Sequence, residues 1–303
     1  MIASGTRCGS RLEAGSPRIV APCSSGTTDR PSGPLARVAN VSDAIYNEHD
    51  STKPAASCLP PAATMSGSVL TALPVYNEAV HLSEVLDEVL RFSPEILVVD
   101  DGSADETPGL LRSRNDIRVL THDVNRGYGA ALASAFEYSI EQGFDVLITI
   151  DCDGQHEPSR IPQLVDVIRA EDRGAVDIVS GSRYLQQFPN DNPPPPDRRA
   201  INAEVTRLIN EQLNLNLTDA FCGFKGYRTE ALGRLNISEA GYAMPLQLWV
   251  QAAALGLRIV EFPIPLIYLD EDRSFGGALD DADHRMAYYL DVLDRELAAH
   301  TFA

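Results

Sequence analysis

At 303 residues, 44% of them hydrophobic and 22% charged, the chain is long enough to bury a full core in one large domain or two modest ones. Its formal charge of −18 argues against non-specific binding to nucleic acid or to anionic lipid, and leaves room only for a local basic pocket. No stretch approaches the ~18–20 uninterrupted apolar residues of a membrane-spanning helix, and five cysteines without a repeated spacing indicate neither a disulfide framework nor a zinc module.

Residues 1–64 are rich in Ser, Gly, Pro, Ala and Thr and show no sustained apolar period, so they are expected to be a disordered N-terminal extension. Met65 stands just ahead of the first regular element. The extension therefore reads either as a real flexible tail or as a gene start placed too far upstream, with residues 65–303 as a single domain. The first residues hold no apolar run of the ~7–15 residues that a secretory signal needs. Cys152 and Cys222 look like small reduced core residues, which suits a cytoplasmic setting.

From Val69 strands and helices alternate. "SVLTALPVY" is a buried strand, and "EAVHLSEVLDEVLRF" a helix with an apolar residue near every third or fourth position. "EILVVD" is a second strand, followed by a helix around "DETPGLLRSR". "DIRVLTHD" is a third strand and "GYGAALASAFEYSIEQG" its helix. "FDVLITID" is a fourth strand, Pro158 opens the helix "PSRIPQLVDVIRAE", and "VDIVSGSRY" is a fifth strand. Beyond it come the proline loop "FPNDNPPPPD", the helix "RRAINAEVTRLINEQLN" and a short strand in "FCGFKGYR". The helix "MPLQLWVQAAALG", one or two strands in "RIVEFPIPLIYL" and a terminal helix in "DADHRMAYYLDVLDRELAAH" complete the chain. The alternation predicts an α/β fold with a Rossmann-like, mostly parallel sheet and helices on both faces.

Ligands of such sheets bind beyond the carboxyl ends of the strands, and every one of these five strands ends in a polar cluster. They are "PVYNE" (Pro74 to Glu78), "VDDGSADET" (Val99 to Thr107), "NRGYGA" (Asn125 to Ala130), "DCDGQHEP" (Asp151 to Pro158) and "SGSRY" (Ser180 to Tyr184). Alone, Asp-Asp-Gly-Ser is ordinary turn chemistry, and Asn-x-Gly-x-Gly before a helix is either a flexible entry or a set of amides suited to phosphate. Asp151 and Asp153 repel one another at that spacing unless they are exposed or share a cation. Five clusters on one predicted edge favour the cation.

These clusters, in this order, resemble the family 2 glycosyltransferases of GT-A fold, and within them the dolichyl-phosphate mannosyltransferase and polyprenyl-phosphate glycosyltransferase branch. "P-x-Y-N-E", "V-D-D-G-S-x-D-x-T" and "D-x-D-x-Q-H-x-P" together carry the resemblance, which spans roughly residues 69–275. It implies a metal-dependent, inverting transfer of a sugar from a nucleoside-diphosphate sugar, GDP-mannose in preference to UDP-glucose, to a polyprenyl or dolichyl phosphate. The setting it implies is the cytoplasmic membrane face, reached peripherally or through a membrane-anchored partner.

Carried over by position, Pro74, Tyr76 and Glu78 match residues lining the nucleotide, Val99 and Asp101 match those that hold its base and ribose, and Ser103 is counted with the nucleotide-sugar-binding residues. Asp151, Asp153 and Gln155 match the ligands of a Mg²⁺ or Mn²⁺ ion that bridges the donor diphosphate, a role for which hard oxygen donors are apt. Cys152, Arg183 and Ser274 match positions beside the donor, Cys152 also being read as a packing residue. Gln155 is either a direct ligand or a support for one, and His156 either a ligand or a neutral hydrogen-bonding group. Trp249, at helical spacing with Leu246 and Ala253, is expected in the core rather than as a sugar platform.

Asp219 is either a base for a hydroxyl acceptor or, if the acceptor is an already ionised phosphate, a supporting group; Glu239 is the other candidate base. The family branch commonly has an acidic residue where this chain has Gln247, and a Ser-Lys pair where it has Ser274 and Phe275. Arg273, Lys225 and the pair Arg198 and Arg199 are candidates for the missing positive charge. The rival readings are transfer to a soluble hydroxyl acceptor and a non-catalytic nucleotide-sugar binding module.

Overall fold

The computed structural model describes residues 39–40, 68–170, 175–189, 191–269 and 274–302. In chain order the elements are β1 (Ala39–Asn40), β2 (Val69–Val75), α1 (Leu82–Leu90), β3 (Ile96–Asp100), α2 (Thr107–Arg112), β4 (Arg118–Thr121), α3 (Tyr128–Glu141), β5 (Val146–Thr149), α4 (Ile161–Arg169) and β6 (Ile178–Ser182). They continue with α5 (Pro196–Leu213), β7 (Lys225–Arg228), α6 (Thr229–Leu232), α7 (Met244–Ala254), β8 (Ile259–Pro263) and α8 (Ala282–Ala299).

Successive strand residues point to opposite faces, and here both sets are apolar. Leu70, Ala72, Leu97, Val99 and Leu147 pack in one core with residues of α3, α5, α7 and α8. Leu73, Val75, Ile96, Val98, Val146 and Ile148 pack in the other with α1 and α4. The strands are thus covered on both sides, as near-continuous apolar runs require. Helix α1 shows the matching period, burying Leu82, Val85, Leu86 and Val89.

The strands form one sheet in the order β1-β8-β6-β7-β5-β2-β3-β4. All pairings are parallel except those of β7, which runs antiparallel between β5 and β6 and sets Lys225 opposite both Thr149 and Ser180. The short strand expected in "FCGFKGYR" therefore fills the centre of the sheet. Ala39–Asn40 pairs with β8; the rest of the expected extension over 1–64 lies outside the described residues. Pro158 opens a 3₁₀ turn, Pro158–Arg160, before α4 begins, and "RIVEFPIPLIYL" supplies one strand, which stops at Pro263. Among the described residues no helix is long and apolar enough to cross a membrane.

Candidate active site

The ends of β2 and β3 are stitched into one ledge by side chains that favour turns. Asn77 takes a left-handed backbone (φ 55°), which Asn tolerates better than most residues. Its Oδ1 accepts from the amides of Ala104 (2.8 Å) and Asp105 (3.3 Å), while its own amide donates to Ser103 Oγ at 2.9 Å. The Glu78 amide donates to Thr107 Oγ1 at 3.0 Å and that of Ala79 to Asp105 Oδ2 at 3.2 Å. Ser103 is thus a brace between the loops. Pro74, Tyr76 and Glu78 line a cavity of about 520 Å³ at this edge of the sheet.

Asp101 also lines the cavity, yet its carboxylate is turned to the next loop. Its Oδ1 meets His122 Nδ1 at 2.6 Å and accepts from the Arg126 amide at 2.9 Å; its Oδ2 accepts from the Gly127 amide at 2.7 Å. His122 Nε2 continues to Ser134 Oγ at 3.0 Å. The phosphate-binding option for "NRGYGA" is narrowed accordingly, because the Gly127 amide is taken by Asp101 and that of Ala130 by the Ala240 carbonyl, at 3.1 Å. Gly127 (φ 104°) and Gly129 are needed for a different reason: a β-carbon at either would strike the backbone of residues 239–241.

Beyond β5, Asp151, Cys152, Asp153 and Gln155 all line the same cavity. Asp151 Oδ1 accepts from the Tyr128 hydroxyl at 3.0 Å, and His156 Nε2 lies 3.4 Å from its Oδ2. Burial, reinforced by the charge on Asp151, pushes the Tyr128 phenol well above its ordinary pKa, which keeps it a donor. Gly223 presses on the Asp151 carboxylate so closely that a β-carbon there would overlap it. The Gly223 carbonyl is itself held by Thr149 Oγ1 at 2.8 Å. Asp153 Oδ1 accepts from the Gln155 amide at 3.0 Å across a turn made by Gly154 (φ 73°). Cys152 is 2% exposed and joins the core beneath.

Behind β6 lies a buried ion pair. Arg183 donates to Asp219 Oδ2 through Nε (2.7 Å) and to Oδ1 through Nη2 (2.9 Å), the bidentate geometry in which such pairs are strongest. Asp219 also accepts from Asn202 Nδ2 at 2.8 Å and from the amides of Phe221 (3.2 Å) and Arg183 (3.3 Å). Burial would raise this carboxyl, but the guanidinium and the donors around it outweigh burial and hold it far below the usual carboxylate range. Glu261 lies fully buried next to it, accepting from Thr218 Oγ1 at 2.9 Å and from the amides of Thr218 (2.9 Å) and Asp219 (3.1 Å). Burial, only partly offset by those donors, pushes the Glu261 carboxyl up to about 7.

The opposite wall comes from residues distant in sequence. The Phe275 ring has the Arg198 guanidinium 4.7 Å from its centroid and that of Arg285 at 4.6 Å. Its edge meets Tyr242 (5.4 Å, 88°), which in turn stacks on Tyr128 (5.6 Å, 17°). Arg285 is buried, with Nη2 2.6 Å from Asp197 Oδ2 and Nη1 2.8 Å from the Leu279 carbonyl. Ser274 donates its hydroxyl to Asp280, at 2.7 Å from Oδ2.

The cavity thus brings together Pro74, Tyr76, Glu78, Asp101, Asp151, Cys152, Asp153, Gln155, Arg183 and Ser274. Val99, Ser103 and Asp219 are not among its lining residues. Val99 is fully buried in the sheet core, and Asp219 is engaged behind Arg183 as its counterion instead of facing an acceptor. Arg273 lies outside the described residues. Lys225 is buried over Trp249 and donates to the Cys222 carbonyl, so its charge stays below the cavity floor. Glu239 is held by Tyr288 and Arg295, and Gln247 by Ser238 and Glu296. Trp249 is core, its Nε1 donating to the Ala220 carbonyl at 2.9 Å.

Tyr128, Tyr242 and Arg285 are among the lining residues that sequence reasoning missed. Tyr128 lies inside the recognised "NRGYGA" motif, whereas nothing local marks Arg285 in its terminal helix. Among the described residues no group of three or more His, Cys, Asp and Glu side chains is poised to hold a metal alone. Asp151, Asp153 and Gln155 bring two carboxylates and one side-chain amide to the wall of the cavity. That set fits a hard divalent cation whose remaining ligands are phosphate oxygens and water.

The model described as "Glycosyl transferase family 2" matches residues 71–235. Undecaprenyl-phosphate mannosyltransferase of Micrococcus luteus is 33% identical over 225 residues, covering 71% of this chain and 90% of that protein. Polyprenol monophosphomannose synthase of Mycolicibacterium smegmatis is 32% identical over 206 residues, covering 64% and 76%. Among solved structures, glucosyl-3-phosphoglycerate synthase of Mycobacterium tuberculosis in complex with phosphoglyceric acid superposes with a TM-score of 0.60 at 18% identity, over 77% of this chain and 81% of that one. The last is a likeness of fold.

Proposed function

The chain belongs to glycosyl transferase family 2 and has the GT-A fold of a glycosyltransferase, and from that premise we propose that it moves a sugar, mannose in preference to glucose, from a nucleoside-diphosphate sugar to a polyprenyl phosphate. The observation that carries this reading is the convergence of Asp151, Asp153, Gln155 and Arg183 on one cavity, in a chain similar to two enzymes named for transfer to a polyprenyl carrier. GDP-mannose is the favoured donor and UDP-glucose the second.

Asp151, Asp153 and Gln155 would hold a Mg²⁺ or Mn²⁺ ion, which would supply Lewis-acid charge for a donor diphosphate. The side chains do the rest. Arg183, fixed by Asp219, faces the cavity as a donor of hydrogen bonds and positive charge to phosphate oxygens. Tyr76, 46% exposed on the ledge, offers a ring for the nucleotide. The acceptor phosphate oxygen attacks the anomeric carbon from the face opposite the diphosphate, the bond from that carbon to the diphosphate oxygen breaks, and the configuration inverts.

An ionised phosphate has no proton to surrender, so this reaction needs no general base. The positions of Asp219 and Glu239 support that version over transfer to a hydroxyl, since both carboxylates are engaged elsewhere. Arg198 and Arg285 supply positive charge around Phe275, where the family branch commonly has lysine. The proposed setting is a membrane surface, and among the described residues no helix is long and apolar enough to cross one.

The test is transfer from labelled GDP-mannose and UDP-glucose to undecaprenyl phosphate in detergent, in parallel with soluble sugar and glycerate acceptors, each with Mn²⁺ or EDTA. Label should enter the lipid phase only with metal. Efficient transfer to a soluble hydroxyl with none to lipid phosphate rejects the acceptor, and undiminished turnover in EDTA rejects the metal.

A further inference from the structure

We propose that Tyr128 is a positioning residue for Asp151, fixing through its hydroxyl the carboxylate that ligates the cation; this rests on the metal reading of Asp151 given above. A carboxylate on a short side chain can swing about its terminal torsion, and ligand atoms are commonly oriented by a hydrogen bond from the layer behind them. Asp151 is restrained on three sides. The Tyr128 hydroxyl lies 3.0 Å from Oδ1, His156 Nε2 approaches Oδ2 at 3.4 Å, and the Gly223 backbone closes one face. Of these three contacts, that of Tyr128 has the length and donor chemistry of a normal hydrogen bond.

The location of Tyr128 is itself fixed. It is the first residue of α3, directly after Gly127, whose amide is tied to Asp101, and α3 is pressed against residues 239–241. Its ring stacks on Tyr242, which meets the edge of Phe275. The hydroxyl therefore reaches Asp151 from a rigid platform. The same ring joins the ligand carboxylate to the wall formed by Phe275, so the two sides of the cavity are held in register through one side chain.

The Tyr128→Phe enzyme keeps the stack on Tyr242 and loses only the hydroxyl. Mn²⁺ affinity is read from the electron paramagnetic resonance signal of the free ion, with saturating GDP and, separately, UDP. Thermal melting confirms the fold, and Asp151→Asn serves as reference. The expected result is an about 10-fold weaker Mn²⁺ affinity in Tyr128→Phe, with a matching rise in the Mn²⁺ concentration for half-maximal activity. Wild-type affinity in Tyr128→Phe alongside loss in Asp151→Asn overturns this proposal and leaves the metal reading standing. Wild-type affinity in Asp151→Asn overturns both.

Discussion

Asp219 is where a base and a support make opposite predictions. It is fully buried and accepts five hydrogen bonds, three of them from Arg183, whose side chain is 18% exposed. Asp219→Asn keeps the shape, removes the charge and turns an amide NH₂ toward donors. Leaving one member of a buried pair without its partner costs about 3–5 kcal/mol. At roughly 2–4 °C per kcal/mol for a domain of this size, melting should fall on the order of 10 °C. The depressed folded pKa of Asp219 stabilises the wild type above the ordinary carboxylate range, about pH 4, and that contribution is lost as pH falls through the folded value. The gap in melting temperature between variant and wild type should therefore be full at neutral pH and narrow in acid. Donor KM should rise as Arg183 loosens. Differential scanning fluorimetry from pH 3 to 8, with steady-state kinetics at neutral pH, reads all three. A variant that melts within about 2 °C of wild type while losing kcat alone and the acidic limb of its rate profile would refute this account and restore Asp219 as a base.

Gly223→Ala drives a methyl into the Asp151 carboxylate while Thr149 pins the Gly223 carbonyl. Melting and Mn²⁺ titration should show an overpacking cost of about 1–3 kcal/mol and an about 10-fold weaker Mn²⁺ affinity. Glu261, raised to about 7 in the folded chain, binds a proton that the unfolded chain releases. Its stabilising contribution is full below about pH 4.5 and lost as pH rises through about 7. Chemical denaturation should find Glu261→Gln gaining on wild type by about 3 kcal/mol between pH 4 and pH 8. Asn77→Ala removes the caps on Ala104 and Asp105 and strains a left-handed residue, so it should lose about 1–3 kcal/mol and raise donor KM. Asn77→Gly, free of the strain, should recover part of the stability but not the KM.

The central sheet was legible because both faces of β2, β3 and β5 are buried, which prints apolar runs into the sequence between polar turns. The strand-end rule then led to Asp151, Asp153 and Arg183. Val99 shows where that rule overreaches: it lies within β3, so its side chain belongs to the sheet face and not to the edge. The sequence left Asp219 open between two roles because its partner, Arg183, stands just beyond the end of β6, 36 positions away, a separation no local pattern reports. Arg285 was invisible for the same reason, since its contacts are Asp197, Leu279 and Phe275 and its helix reads as an ordinary polar one. The placement of β7 is likewise decided by which strand edges remain to be filled, not by "KGYR" itself.

That placement governs when the site can come into being. Strands β5 and β6 follow one another in the chain, yet each has one edge that only β7 satisfies. The Thr149 hydroxyl waits 74 residues for the Gly223 carbonyl. A nascent chain extended no further than β6 therefore carries two unpaired edges where the cavity floor belongs, and the cost of closing so long a loop falls on the step that inserts β7. Because β7 runs backward, its first residues arrive at the same edge where its neighbours end, bringing Gly223 against Asp151. Assembly of the cavity edge and the joining of β5 to β6 are one event, and a shortened chain that stops before Lys225 forfeits both together.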